Sequence, residues 1–264
     1  MISKKYFKEN IKYKIVGNKY IFRELQFVDT EDSLDLIKSK LKKFSRVYYW
    51  LIKFLSPVFE SGEQERFISR YIDADADADA DHMILNVGSG NSKVIDNICN
   101  VDIFSYPNVD VVCDIEDLPF IDNSVDIVFN SAVLEHVPNP QKVVDEIYRV
   151  LKTDGIVYSA FPFMQGYHAS PYDFTRVTEE GIKILHKNFE LIEVKPFGGP
   201  TSGMLWILQE WIAILLSFGS KRLHMFIHLF VMVITAPIKF FDYFLIKHPM
   251  AKNIASGFVF IGKK

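Results

Sequence analysis

The sequence is poor in cysteine, in positive charge and, over one long stretch, in charge of either sign. Two cysteines, Cys99 and Cys113, in 264 residues cannot build a disulfide framework, so a reducing compartment is expected. Thirty Lys and Arg against 33 Asp and Glu leave a net charge of −3. With no basic excess to neutralise phosphates, a dedicated nucleic-acid binder is excluded. The opening Met1-Ile2-Ser3-Lys4-Lys5 is followed by no continuous apolar run, so no secretory signal is expected. Apolar residues are plentiful at 49%, which excludes a disordered chain. Residues 201–250 hold six charged side chains, whereas the other 214 residues hold 57. An ordinary soluble composition is therefore joined to an unusually apolar stretch.

Before residue 83 the pattern is mixed. Residues 12–23 place two β-prone runs around Gly17-Asn18, the signature of a hairpin. Residues 32–55 alternate Lys38, Lys42, Lys43, Arg46 and Lys53 with Leu34, Leu41, Phe44 and Trp50. That spacing suits a basic amphipathic helix, and segment 36–55 is expected to touch an anionic membrane surface or to pack on the protein body. Residues 73–81 read DADADADAD, a self-repelling acidic linker. Two regions follow: 1–82, with hairpin, basic helix and acidic linker, and 83–264, the main domain.

From Met83 short apolar runs alternate with helical patterns. Strands are expected at 83–88, 100–104, 109–115, 125–130, 155–163, 189–197 and 257–264. Asn139 caps a helix that begins at Pro140 and carries Val143, Val144, Ile147 and Leu151 on one face. Residues 178–187 form another helix. This alternation predicts an α/β fold with an open, mainly parallel sheet.

The chemistry-bearing residues lie at the strand ends, where such sheets bind ligands. Asn86-Val87-Gly88-Ser89-Gly90 lets the backbone approach a cofactor closely. Asp102, near the end of the next strand, can accept hydrogen bonds from both ribose hydroxyls. Asp114, beside the Ile115 amide, can read an adenine edge.

These stretches resemble one family. ILNVGSG, DIEDLPFIDNSVDIV, AVLEHVPNPQKVVDEIYRVLKTDG and ASPYDFTRVTEEGI, all within residues 84–185, resemble the class I S-adenosylmethionine-dependent methyltransferases. They are most similar to the branch with D-x-x-x-L-P-F and L-E-H-V turns. The resemblance implies a Rossmann-like open sheet of seven strands with helices on both faces. It implies S-adenosylmethionine as cofactor and no metal. Gly88, Ser89 and Gly90 would turn against the methionine part, with Asn86 beneath them. Asp102 would hold the ribose, and Asp114 with the Ile115 amide would read the adenine. Asn130 and Ser131 would floor the site, and the turn Leu134-Glu135-His136-Val137 would wall cofactor from substrate.

Three features depart from the family pattern. Asn86 stands where an acid is usual, and Ser92 takes the third small position of the loop. Only fourteen positions separate Gly88 from Asp102, leaving little room for the usual first helix. Catalysis is expected from two loops. His136 follows the fourth strand of the domain; His168, Asp173 and Arg176 lie after the fifth. His168 would take a substrate proton, Asp173 would orient it, and Arg176 would clamp an anion. The alternative for Asp173 and Arg176 is an internal ion pair that pins the loop, and for His136 a purely structural turn.

The low-charge stretch falls between the last two strands as an apolar helical insertion. Residues 204–218 have 12 apolar side chains in 15, and Leu223 to Ile238 has no formal charge. Sixteen helical residues span about 24 Å, short of a bilayer core of about 30 Å. A shallow hairpin or in-plane helices at a membrane surface suit better than two spanning helices, with a lid on the domain or on a second subunit as the other option. The expected function is methylation of a polar group, by O-methylation, on a small-molecule or lipid-linked glycan acceptor at the cytoplasmic face of a membrane. The alternatives are a non-catalytic module anchoring a membrane glycan-assembly complex and, third, a nucleotide-sugar-modifying enzyme that binds NAD.

Overall fold

The computed structural model describes residues 2–24, 56–59, 61–72, 82–92, 94–95, 97–169 and 171–264. The expected basic helix at 36–55 and the acidic repeat at 73–81 lie outside the described residues.

A single sheet organises the chain. Its strands are β1 (Lys14–Val16), β2 (Lys19–Ile21), β3 (Ile84–Val87), β4 (Cys99–Asp102), β5 (Val111–Val112), β6 (Val125–Ser131), β7 (Leu151–Pro162), β8 (Glu190–Phe197) and β9 (Gly257–Lys263). Their order is β1-β2-β5-β4-β3-β6-β7-β9-β8. Strands β3 to β7 run parallel, and β9 inserts antiparallel between β7 and β8. The order reverses between β3 and β6, which opens a crevice at their carboxyl ends.

The sheet has nine strands where seven were expected. The difference is the hairpin β1–β2, whose turn is made by Gly17 at φ +63°. Its second strand adds to the β5 edge, Tyr20 pairing with Val111 and Ile21 with Val112. Edge pairing satisfies backbone groups that β5 would otherwise leave open. Phe7, Tyr20 and Phe120 then close an aromatic cluster at that edge.

Helices cover both faces. Helix α1 (Glu63–Tyr71) inserts Phe67 against Phe129 and Tyr158. On the opposite face, α2 (Pro140–Val150) is capped by the Asn139 side chain, which accepts from the Lys142 amide. It buries Val143, Val144, Ile147 and Val150, the stripe its spacing predicts. Helix α3 (Glu179–Leu185) follows, capped by Thr178. Between β3 and β4 the described residues form turns and no helix, as the short Gly88–Asp102 spacing requires.

Between β8 and β9 the chain leaves the sheet. Helix α4 (Pro200–Ser217) and helix α5 (Lys221–Thr235) form a hairpin closed by Phe218 and Gly219, both at positive φ. A 3-10 turn (Ala236–Phe241) and a short helix α6 (Asp242–Leu245) bring the chain back. An 18-residue window of the run Lys221–Leu245 has a mean hydropathy of 1.7, and the run is by length and composition long and apolar enough to cross a membrane. The hairpin is fastened at its base. Buried Asp242 accepts from the amides of Thr201 (2.8 Å) and Ser202 (2.7 Å) and from the Ser202 hydroxyl (2.6 Å). Buried Lys239 donates to the Ser56 carbonyl at 2.8 Å.

Candidate functional site

A cavity of about 620 Å³ opens at the carboxyl edge of the sheet, a size suited to a small-molecule ligand. Gly88, Gly90, Asp102, Ile103, Asp114 and Ile115 line one side. His136, Val137, Tyr172 and Phe174 line the other.

The glycine turn is built by backbone bonds. The amides of Gly88 and Ser89 both donate to the Val101 carbonyl, which folds the turn over β4. Gly88 adopts φ +70°, and a Cβ there would fall 2.4 Å from Val133, so the position admits only glycine. Gly90 also has positive φ, with open space where its Cβ would stand. Buried Asp102 accepts from the Gly90 amide (2.7 Å) and the Phe104 amide (2.8 Å). Burial raises its pKa, and the amides of Phe104, Gly90 and Ile103 partly offset the rise. The carboxylate is thus fixed by two amides, with lone pairs left for a ligand hydroxyl.

At the far end Asp114 accepts from the Glu116 amide at 3.0 Å and pairs with Arg23 at 3.1 Å. Arg23 also lines the cavity. No local signal in the sequence marks it; the pairing of β2 with β5 carries it there.

The catalytic loops meet at a buried acid. The side chain of Glu135 is fully buried, and neither carboxylate oxygen has a hydrogen-bond partner among the described residues. Its Oε1 lies 3.7 Å from His136 Nε2 and 3.6 Å from His168 Nε2. The two imidazoles stand edge to face, centroids 5.3 Å apart. The Glu135 carboxylate raises the His168 pKa against the opposing effect of burial. Sequence reasoning placed Glu135 only in a wall; its place before His136 was the available signal.

Asp173 and Arg176 are spent on each other. Asp173 accepts from the His168 amide at 2.8 Å and forms a two-point ion pair with the Arg176 guanidinium. Burial pushes the Asp173 pKa up, but the Arg176 hydrogen bonds outweigh it and the net shift is down to about 2. Arg176 also donates to the Gly166 and Gln165 carbonyls. Neither residue lines the cavity, so the arrangement is the loop-pinning pair and not a clamp for substrate. Trp206 of α4 packs on the same loop, its ring centroid 5.6 Å from that of His168.

Four expected cofactor contacts, Asn86, Ser89, Asn130 and Ser131, lie apart from the cavity lining. Buried Ser89 donates its hydroxyl to the Gly90 carbonyl at 3.3 Å. Buried Asn86 donates to Asn100 Oδ1 across β3 and β4 at 3.0 Å. Asn130 is buried beside Val87 and Ser159, and its side-chain amide has no partner in the protein. Ser131 is exposed at the end of β6.

Residues 85–159 match the family described as "Methyltransferase domain". The match covers 75 of the 264 residues, from β3 into β7. The domain's relatives include an uncharacterized methyltransferase of Mycobacterium tuberculosis, 45% identical over 49 residues, which are 19% of this chain and 19% of the relative. One of Mycobacterium leprae is 43% identical over 49 residues, 19% of this chain and 18% of the relative. The matched segment is therefore about a fifth of the length of the curated relatives. A solved structure of similar shape is phosphoethanolamine N-methyltransferase 2 of Haemonchus contortus in complex with S-adenosyl-L-methionine. It has a TM-score of 0.49 and 18% identity, over 87% of this chain and 59% of that one. Another is a SAM-dependent methyltransferase of Archaeoglobus fulgidus, with a TM-score of 0.47 and 17% identity over 82% of this chain and 100% of that one.

The cavity's lining fits S-adenosylmethionine, the cofactor that the sequence resemblance implies. Asp102 would hold the ribose, the Gly88–Gly90 turn the methionine part, and Asp114 with Ile115 the adenine. The unpartnered amide of Asn130 leaves a polar demand near the same edge for a ligand or water to meet.

Proposed function

We propose that this chain is an S-adenosylmethionine-dependent O-methyltransferase that works on a polar acceptor at a membrane surface. The observation that carries the reaction is the cavity itself. Its cofactor side ends at Asp102 and Asp114, and its other side ends at His136, beside Glu135 and His168. S-adenosylmethionine, when bound, supplies an electrophilic methyl group. The chain's part is alignment and proton handling. His136 lines the wall that meets the acceptor hydroxyl, and Glu135 and His168 stand behind it to take up its proton. Tyr172 and Phe174 shield that wall from water. The Asp173–Arg176 pair holds the loop in place.

The membrane reading rests on the inverted pattern of the hairpin. Helix α4 buries Thr201, Ser202, Gly203, Leu205, Gln209, Ala213 and Ser217, mostly small or polar. It exposes Met204, Ile207, Trp211, Ile214, Leu215 and Leu216, and Phe218 at the tip is 89% exposed. Gln209 bonds Thr235 of α5 at 2.7 Å. Small residues and hydrogen bonds inside with apolar side chains outside are what helix pairs in lipid show. Lys221 and Arg222 at the tip would meet headgroups. Because Trp206 joins α4 to the His168 loop, the apolar surface is tied to the site. That favours an acceptor presented at the bilayer, a lipid-linked glycan or a related polar intermediate, at the cytoplasmic face.

Calorimetry with S-adenosylmethionine tests the reaction. Binding is expected, weakened about 10- to 100-fold by Asp102→Ala. No binding at millimolar ligand overturns it and favours the non-catalytic anchoring module. Sedimentation with anionic vesicles tests the surface. The full chain should pellet with them, and a Trp211→Ser, Phe218→Ser, Phe226→Ser variant should stay in solution. Equal pelleting of both would remove the membrane reading.

A further inference from the structure

Glu135, His136 and His168 have a second property that proton handling leaves unexplained. Each imidazole already has its Nδ1 side engaged by a backbone carbonyl. His136 Nδ1 lies 2.6 Å from the Tyr172 carbonyl, and His168 Nδ1 lies 3.0 Å from the Gly166 carbonyl. A carbonyl oxygen only accepts, so each Nδ1 carries a proton, and in the neutral ring Nε2 is left to present a lone pair. Arg176 Nη2 is 3.2 Å from His168 Nδ1, but its two N–H groups are committed to Gly166 O at 2.9 Å and Asp173 Oδ2 at 2.6 Å. The two Nε2 atoms therefore face a buried carboxylate whose oxygens accept no hydrogen bond among the described residues. Both Nε2 atoms and Glu135 Oε1 are turned towards one another, and the three ligand atoms lie within 4.8 Å of one another.

We propose that Glu135, His136 and His168 bind a first-row divalent metal ion at the acceptor end of the cavity. Two imidazole nitrogens and one carboxylate oxygen form a three-ligand set, which leaves open positions as catalytic metal sites do. A tetrahedral ion with bonds of about 2.1 Å separates its ligands by about 3.4 Å. The observed 3.6 and 3.7 Å between Glu135 Oε1 and the two Nε2 atoms need only a small inward adjustment. The outer contacts are those of a metal site as well, since ligating histidines commonly donate their other N–H to a backbone carbonyl. Of the three ligands His136 lines the cavity, with Glu135 and His168 behind it, so an ion held there would border the space where the acceptor would lie. Under the methyl-transfer reading, on which this use of the site rests, the ion takes the acceptor oxygen. Its proton leaves to solvent, an O–CH3 bond forms as the S–CH3 bond breaks, and sulfur keeps the electron pair. Glu135 and the histidines are then ligands rather than bases.

The test is metal binding by the full chain, stripped with a chelator and titrated with cobalt(II) and with zinc(II). Cobalt(II) should bind at one equivalent with visible absorption of a nitrogen- and oxygen-ligated ion, and zinc(II) should displace it. Glu135→Gln and His168→Gln should each weaken binding by more than about 100-fold. Glu210→Gln, beside His224 and His228 in the hairpin, should leave it unchanged. Thermal melting of each variant separates lost ligation from lost folding, and His136→Gln supplies a third ligand variant. No binding below millimolar metal, or binding indifferent to all three ligand variants, overturns the proposal. Metal binding without S-adenosylmethionine binding would fail the methyl-transfer reading alone, and the converse would fail the metal site alone.

Discussion

Helix α2 turns Val143, Val144, Ile147 and Val150 inward and leaves Lys142 and Asp145 in water. Helix α4 turns Thr201, Ser202, Gln209, Ala213 and Ser217 inward and leaves Ile207, Trp211, Ile214 and Leu215 outside. Both are regular helices, and Asn139 caps the first as Asp242 caps the second. What differs is which side chains each turns outward. In water the hydrophobic effect drives large apolar side chains inward. Where apolar side chains gain nothing by leaving their surroundings, small residues and hydrogen bonds hold helices together instead. The contrast separates a sheet half with an aqueous surface from a hairpin with an apolar one.

Four measurements bear on that contrast. The largest effect is expected in the sheet half. Ile147→Ala removes a fully buried side chain and should cost about 2–5 kcal/mol in denaturant unfolding. A loss under about 1 kcal/mol would place α2 outside the core.

Acid is the next lever. His186 is buried on Phe260, rings 4.4 Å apart, and bonds the Ile182 carbonyl. Burial lowers its pKa to about 4, although the Ile182 carbonyl pulls the other way. The folded state therefore resists protonation that the unfolded chain accepts near pH 6.5. The stabilisation is complete above 6.5 and lost as pH falls towards 4, on the order of 3 kcal/mol. Thermal melts across pH 4–7 should flatten in His186→Phe.

Asp242→Ala attacks the base of the hairpin. It strands the Thr201 and Ser202 amides, and should cost about 2 kcal/mol. Hydrogen exchange should show the loss first in α4. Exchange rising equally throughout the sheet would mean the hairpin and sheet unfold as one.

The smallest effect on stability is expected where the helix is most apolar. Ile214→Ser lies on the exposed face of α4 and should change unfolding by less than about 0.5 kcal/mol. Vesicle binding should fall with the same substitution. A loss near that of Ile147→Ala would show that Ile214 is covered by protein, and would dissolve the contrast.

Much of the sheet half is legible along the chain. The stripe of α2, its Asn139 cap and the run of βα units follow from local spacing. The Gly88–Asp102 interval is too short for a helix, and turns stand there. The site is legible only in part. Gly88, Gly90, Asp102, Asp114, Ile115 and His136 line one cavity because each ends a strand or begins the loop after it. Asp173 and Arg176 share a loop in the sequence whether they bind substrate or each other. Only their two-point contact distinguishes these. The hairpin at 12–23 was legible, but its pairing with β5 and the arrival of Arg23 at the cavity were hidden because edge pairing joins residues some 90 positions apart and leaves no local period.

The sequence alone determined the elements, the glycine turn, the low-charge interval and the residue types available for chemistry. These depend on backbone preference and on periods of two or 3.6 residues, which act over a few neighbours. Tertiary structure alone decided that Glu135 is buried without a donor between two imidazoles. It also decided that the apolar interval folds with its small residues inward. Both depend on which distant surfaces meet, because burial and the lack of a partner arise from packing and not from any single stretch of chain.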